Sequence, residues 1–125
     1  MKRIVFGIAA LLMVTGPGIA AEPALVAKTP NGNVYTDAKG MTLYTFDKDS
    51  ADKSNCYDKC AMMWPVLKAD AAAKPMGEWS VVERKDGSKM WAYDKKPLYT
   101  YVNDKKAGDV TGDGVGGVWH VAKAD

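Results

Sequence analysis

The chain contains the same stretch twice. Asn31-Gly32-Asn33 matches Asp86-Gly87-Ser88, Leu43-Tyr44-Thr45-Phe46 matches Leu98-Tyr99-Thr100-Tyr101, Asp49 matches Asp104, and Trp64-Pro65-Val66 matches Trp119-His120-Val121, all at a spacing of 55 residues. A constant spacing means that the loops between matched positions have equal length, so the copies are expected to share a backbone path as well as a composition. One copy, about residues 31–70 or 86–125, is too short to bury a core of its own, and an isolated hairpin is marginal in water. The duplication therefore predicts one small domain in which the two repeats pack against each other about a pseudo-twofold axis.

Local patterns put β structure in both copies. Runs rich in Val, Tyr, Trp and Thr over 33–36, 43–46, 79–83, 89–93, 98–102 and 118–122 read as short strands. Turn residues separate them: Pro30-Asn31-Gly32-Asn33 and Asp86-Gly87-Ser88 before a strand, Asp37-Ala38-Lys39-Gly40 and Asp94-Lys95-Lys96-Pro97 within each copy. Each repeat should open as a hairpin. Lys59 to Met63, stopped by Pro65, reads as a single helical turn, and Lys68 to Lys74 as the linker between copies. The fold class is thus mainly β, with a short helical turn near the cysteines. Period-two alternation puts Leu43 with Thr45 on one face and Tyr44 with Phe46 on the other, and likewise Leu98 with Thr100 against Tyr99 with Tyr101. Tyr44, Phe46, Trp64, Tyr99, Tyr101 and Trp119 are expected to form one shared aromatic core.

The amino-terminal segment reads as an export signal rather than as part of the fold. Lys2-Arg3 precedes an apolar run from Ile4 to Val14, a Gly16-Pro17-Gly18 break and a small-residue end at Ile19-Ala20-Ala21. That run is too short to span a bilayer. Cleavage after Ala21 leaves residues 22–125 as a single mature domain, removes Lys2 and Arg3, and takes the formal charge from +2 to zero. The remaining lysines alternate with aspartates, as in Asp47-Lys48-Asp49, so no single-sign field is expected and no nucleic-acid partner. No stable membrane anchor is expected either.

Tyr44, Phe46 and Asp49, and again Tyr99, Tyr101 and Asp104, fit the pattern Tyr-x-aromatic-x-x-Asp. With Cys56-x-x-x-Cys60 before Trp64-Pro65 in one copy and Gly112-Asp113-Gly114-x-Gly116-Gly117 before Trp119 in the other, the chain resembles the bacterial secreted repeat family of lipoprotein-like proteins that carry this motif. The resemblance covers nearly all of the mature chain. It implies an exported envelope protein and assigns no activity. This sequence departs from the lipoprotein members in lacking a lipid-accepting cysteine near Ala21.

The chemistry-bearing residues are few. Cys56 and Cys60 are the only cysteines, and an even pair in an exported protein is expected to form a disulfide, since one helical turn brings such positions within bridging range. The alternative is a copper or thiol-redox site using Cys56, Cys60 and His120, the sole histidine, because sulfur and imidazole suit copper. His120 and the sulfurs lie in different copies, and His120 is expected to sit too far from them to share a metal. Asp104, Asp109 and Asp113 in the glycine-rich loop offer oxygen ligands for calcium, but at no EF-hand spacing, so a plain turn is the default. The alternating aromatics could stack on sugar rings of an envelope polymer, with core packing again the default. No catalytic or cofactor signature is present. The sequence therefore points to an exported, non-enzymatic binding or interaction module in the periplasm or outside the cell, with an envelope protein or polymer as partner.

Overall fold

The computed structural model describes residues 22–30 and 32–124; the predicted export segment and Asn31 lie outside them. In chain order the elements are β1 (Leu25–Thr29), β2 (Gly32–Thr36), β3 (Tyr44–Phe46), α1 (Lys59–Met63), β4 (Trp79–Glu83), β5 (Lys89–Tyr93), β6 (Lys96–Pro97), a 3-10 turn over Val115–Gly117, and β7 (Trp119–Val121). Each copy opens as an antiparallel hairpin, β1 with β2 and β4 with β5, so the repeating unit begins at Leu25 and Trp79, ahead of the matched stretches. The paired turn glycines Gly32 and Gly87 have φ of 101° and 88°, a conformation open to glycine at little cost.

The copies are held together by exchanging their last segments. β3 of the first copy pairs antiparallel with β7 at the end of the second, Tyr44 opposite Val121 and Phe46 opposite Trp119. Reciprocally, Val66 at the end of the first copy bridges Tyr99 of the second, with Leu67 N–H donating to Leu98 C=O and Thr100 N–H to Pro65 C=O. Tyr44 and Tyr99 meet at the axis through mutual backbone hydrogen bonds of 2.7 and 3.0 Å. Backbone pairing alone therefore makes each copy incomplete without the other.

Alternation along these central segments sorts side chains into two apolar clusters. Tyr44, Tyr99, Trp64 and Trp119 enter one, with Val34, Val82, Met90 and Cys56. Leu43 and Leu98 enter the other, with Tyr35, Trp79, Ala24 and Ala122. The expected aromatic core is present: the rings stack in the order Phe46, Trp119, Trp64, Tyr101, with centroid spacings of 4.2, 3.8 and 3.9 Å. Tyr44 meets Trp64 edge-on at 5.4 Å and Tyr99 meets Trp119 edge-on at 5.2 Å. The pseudo-twofold axis passes between the parallel indoles.

The structure departs from the sequence reading in three places. Residues 98–102 form no continuous strand; Tyr99 makes only isolated bridges, because the stack draws Tyr101 toward Trp64. β1 and β6 lack an alternating signal and are organised by their ladders to β2 and β5. The uniform spacing also slips by one within the hairpins. Leu43 N–H donates to Tyr35 C=O and Tyr35 N–H to Ala122 C=O, whereas Leu98 N–H donates to Trp91 C=O and Trp91 N–H to Leu67 C=O, which equates Tyr35 with Trp91 rather than Met90. Two different turns cause the slip. The first copy uses a longer turn in which the Asp37 carboxylate accepts from Lys39 and Met41 N–H and Gly40 takes φ 84°. The second closes with two residues, Asp94 and Lys95, at φ 51° and 66°.

Candidate functional site

The Tyr and Asp of the repeated motif are used across copies. Tyr44 Oη donates to Asp104 Oδ2 at 2.6 Å, and Tyr99 Oη donates to Asp49 Oδ2 at 2.7 Å. The second oxygen of each carboxylate holds its own loop: Asp104 Oδ1 accepts from Thr111 N–H at 2.8 Å, and Asp49 Oδ1 from Asn55 N–H at 2.7 Å. Each phenol oxygen also contacts a further polar group, Gly112 N–H for Tyr44 and Ser54 Oγ for Tyr99. The motif is thus a pair of reciprocal clasps. The three-residue step from aromatic to Asp lets the chain leave the core after Phe46 or Tyr101 and return its carboxylate to the partner copy's tyrosine.

The copies differ around these clasps. On the Tyr99 side, Arg84 Nη1 donates to Ser54 Oγ at 2.6 Å and Nη2 to Cys56 C=O at 2.8 Å, while its guanidinium lies 4.1 Å from the centre of the Tyr57 ring. This buried cation is neutralised through the chain Ser54, Tyr99, Asp49 rather than by direct ion pairing. The Cys56–Cys60 disulfide closes the same loop. So short a loop removes less unfolded-chain entropy than the roughly 3 kcal/mol of a fifteen-residue one, so its role is local. On the Tyr44 side Gly112 takes the place of Ser54: a Cβ there would stand 2.9 Å from ring atoms of both Trp64 and Tyr44.

Burial, reinforced by the adjacent carboxylates, pushes the phenols of Tyr44 and Tyr99 well above their ordinary value of 10.0. A folded-state value above the unfolded one gives stability that is complete below pH 10 and is lost as the unfolded chain ionises first. Urea titrations at rising pH should therefore show a steep fall in stability above about pH 10. In an alkaline pH jump, phenolate absorbance from these two residues should rise with unfolding; ionisation before loss of tryptophan fluorescence contradicts this account.

A groove opens where the second copy's short turn faces the first copy's motif loop. One lobe, of about 380 Å³, is bordered by Phe46, Asp49, Ala51, Lys95 and Pro97; a second, of about 270 Å³, is bordered by Tyr93, Leu98 and His120. Thr45, Asp47, Asp94 and Lys96 border both. Phe46 stacks on Trp119 and also borders this groove. His120 Nε2 lies 2.8 Å from Asp47 Oδ2, whereas among the described residues no side-chain hydrogen bond or ion pair engages Asp94, Lys95 or Lys96.

Lys95 stands out when the copies are compared. Counting back from Leu98 and Leu43, it corresponds to Gly40, and both are left-handed. For lysine this conformation costs about 1–2 kcal/mol. The turns also pack differently: Lys95 C=O accepts from Asp52 N–H at 2.8 Å, while a Cβ on Gly40 would lie 3.0 Å from Ala107, the counterpart of Asp52. The first copy's turn therefore packs closely on Ala107, whereas the second is tied to its neighbouring loop by a backbone hydrogen bond and borders the groove.

The other predicted site residues are also accounted for. Trp64 and Trp119 are 5 % and 4 % exposed and pair as core. Cys56 and Cys60 are bonded to each other, and His120 is paired with Asp47 on the β3–β7 surface. Asp109 accepts from Lys105 N–H and Asp113 from Val121 N–H, so both aspartates brace backbone. Among the described residues no group of three or more His, Cys, Asp or Glu is placed to hold a metal, and no helix is long and apolar enough to cross a membrane. The sequence reading missed Arg84, Ser54, Thr111 and Lys95. Only Lys95 carried a signal, as a lysine where the other copy has glycine.

The family described as a secreted repeat of unknown function matches the chain twice, over residues 25–68 and 80–123, again 55 residues apart. No curated protein and no solved structure matches it.

Proposed function

The chain belongs to this family of secreted repeats, and on that premise we propose that it is a non-enzymatic binding module of the cell envelope, active in the periplasm, whose ligand site is the groove beside Phe46. The observation that carries this reading is Lys95. A left-handed lysine occupies a turn position where the other copy has glycine, and residues held in this costly conformation cluster at ligand sites. The neighbouring groups suit a saccharide. Phe46 offers apolar ring surface to sugar C–H groups, while Asp94, Lys95 and Lys96 offer unengaged acceptors and donors to hydroxyls.

The test is an NMR titration of the isotopically labelled mature protein with a neutral, an N-acetylated and a uronic-acid oligosaccharide. Amide shifts should cluster at Phe46, Asp94 and Lys96 for at least one of them. Lys95→Gly should abolish those shifts while leaving the protein as stable as before or more stable by up to about 1–2 kcal/mol. Shifts that are absent with all three, or that lie away from the groove, overturn the reading.

A further inference from the structure

The two clasps also place oxidisable groups in a particular order. Trp64 and Trp119 lie parallel within 4° at 3.8 Å, close enough for their π systems to share a charge. Against the edge of each stands a fully buried phenol, Tyr44 or Tyr99, and each phenol already donates its hydrogen bond to a carboxylate. Oxidising a phenol turns it into a strong acid, so in a buried site the reaction needs a base within hydrogen-bond reach. Both tyrosines have one at 2.6–2.7 Å. Burial raises the Asp49 carboxyl above its ordinary range, which makes it a better proton acceptor.

Tyr101 makes the contrast. It stacks on the outer face of Trp64 at 3.9 Å and is half-buried. Its hydroxyl accepts from the Asn103 amide and has no carboxylate partner among the hydrogen bonds of the described residues. A positive hole on the indole pair thus meets three neighbouring phenols, of which Tyr44 and Tyr99 carry a carboxylate acceptor and Tyr101 does not.

We propose that this aromatic centre is a one-electron store: an outer-sphere one-electron oxidant removes an electron from the indole pair, and Tyr44 or Tyr99 refills it while passing its phenolic proton to Asp104 or Asp49. The oxidant is reduced by one electron, the indole is restored, and the products within the protein are a phenoxyl radical and a protonated carboxyl. A one-electron reductant reverses the step, with the carboxyl returning its proton to the phenolate oxygen. The activity requires no ligand in the groove and stands or falls separately from the binding reading.

The experiment is flash photolysis of the intact mature protein with photogenerated tris(bipyridine)ruthenium(III) as oxidant. The indolyl radical absorption should convert to phenoxyl absorption in a first-order step whose rate is independent of protein concentration and slower in deuterated water. Tyr101→Phe should retain the conversion. The Tyr44→Phe/Tyr99→Phe double variant should slow it roughly tenfold or more, each tenfold being about 1.4 kcal/mol of barrier. The proposal is overturned if the wild-type indolyl radical persists until it decays in a second-order process, or if Tyr101→Phe abolishes the phenoxyl signal. It is also overturned if the double variant converts at the wild-type rate. The wild-type and Tyr101→Phe results decide the question even where the double variant fails to fold.

Discussion

Replacing Trp119 by alanine should cost about 3–5 kcal/mol, the range for deleting a large buried aromatic side chain. Trp119 is 4 % exposed and touches Phe46 and Trp64 face-on and Tyr99 edge-on, so its removal opens a cavity at the pseudo-twofold axis. Small domains are stable by only about 5–15 kcal/mol, so the variant should lose much or all of its cooperative transition. The pseudosymmetry provides a control, because Trp64→Ala removes the equivalent ring from the equivalent stack and should cost nearly as much. Urea unfolding followed by far-ultraviolet circular dichroism measures both. A loss below about 1 kcal/mol for either would mean that the core closes over the gap, which the close packing of protein interiors argues against.

The second large effect is expected at Asp104. Asp104 is 5 % exposed, and its carboxylate satisfies the hydroxyl of a fully buried tyrosine and both the backbone N–H and the hydroxyl of Thr111. Asp104→Ala leaves the buried Tyr44 hydroxyl without its acceptor, at about 1–3 kcal/mol, and frees the two part-buried donors of Thr111 at a smaller cost each. Asp49→Ala should cost less, because Asp49 is only half-buried and water can replace it at Asn55. A double-mutant cycle of Tyr44→Phe with Asp104→Ala isolates the clasp and should give a coupling of about 0.5–3 kcal/mol. Additive losses would show that motif tyrosine and aspartate act independently, and the cross-copy account of the motif would fail.

Much of this was legible from spacing alone. Matching Leu-Tyr-Thr-aromatic segments with period-two alternation identified which residues face the aromatic core, and the paired tryptophans marked its centre. The four-residue step between the only two cysteines in an exported chain predicted the disulfide. The Tyr and Asp of the motif were visible as a pattern, but their meaning was not. Sequence order suggests that Tyr44 belongs with Asp49, five residues on, whereas the structure joins Tyr44 to Asp104 and Tyr99 to Asp49. Arg84 left no trace because a buried guanidinium is distinguished from a surface one only by what surrounds it.

What the sequence by itself determined was therefore periodic and local: the duplicated unit, the strand-forming segments, the helical turn over Lys59–Met63 and the identity of the stacked rings. Alternation and turn chemistry act over a few residues, and a duplication writes them twice. The tertiary structure alone decided the exchange of final segments, the crossing of the clasps between copies and the one-residue slip within the hairpins. It also decided that one turn borders a groove while its counterpart packs Gly40 against Ala107. Those outcomes depend on which of two near-identical partners each segment meets, and the energy that selects the partner resides in contacts between residues some 45 to 75 positions apart.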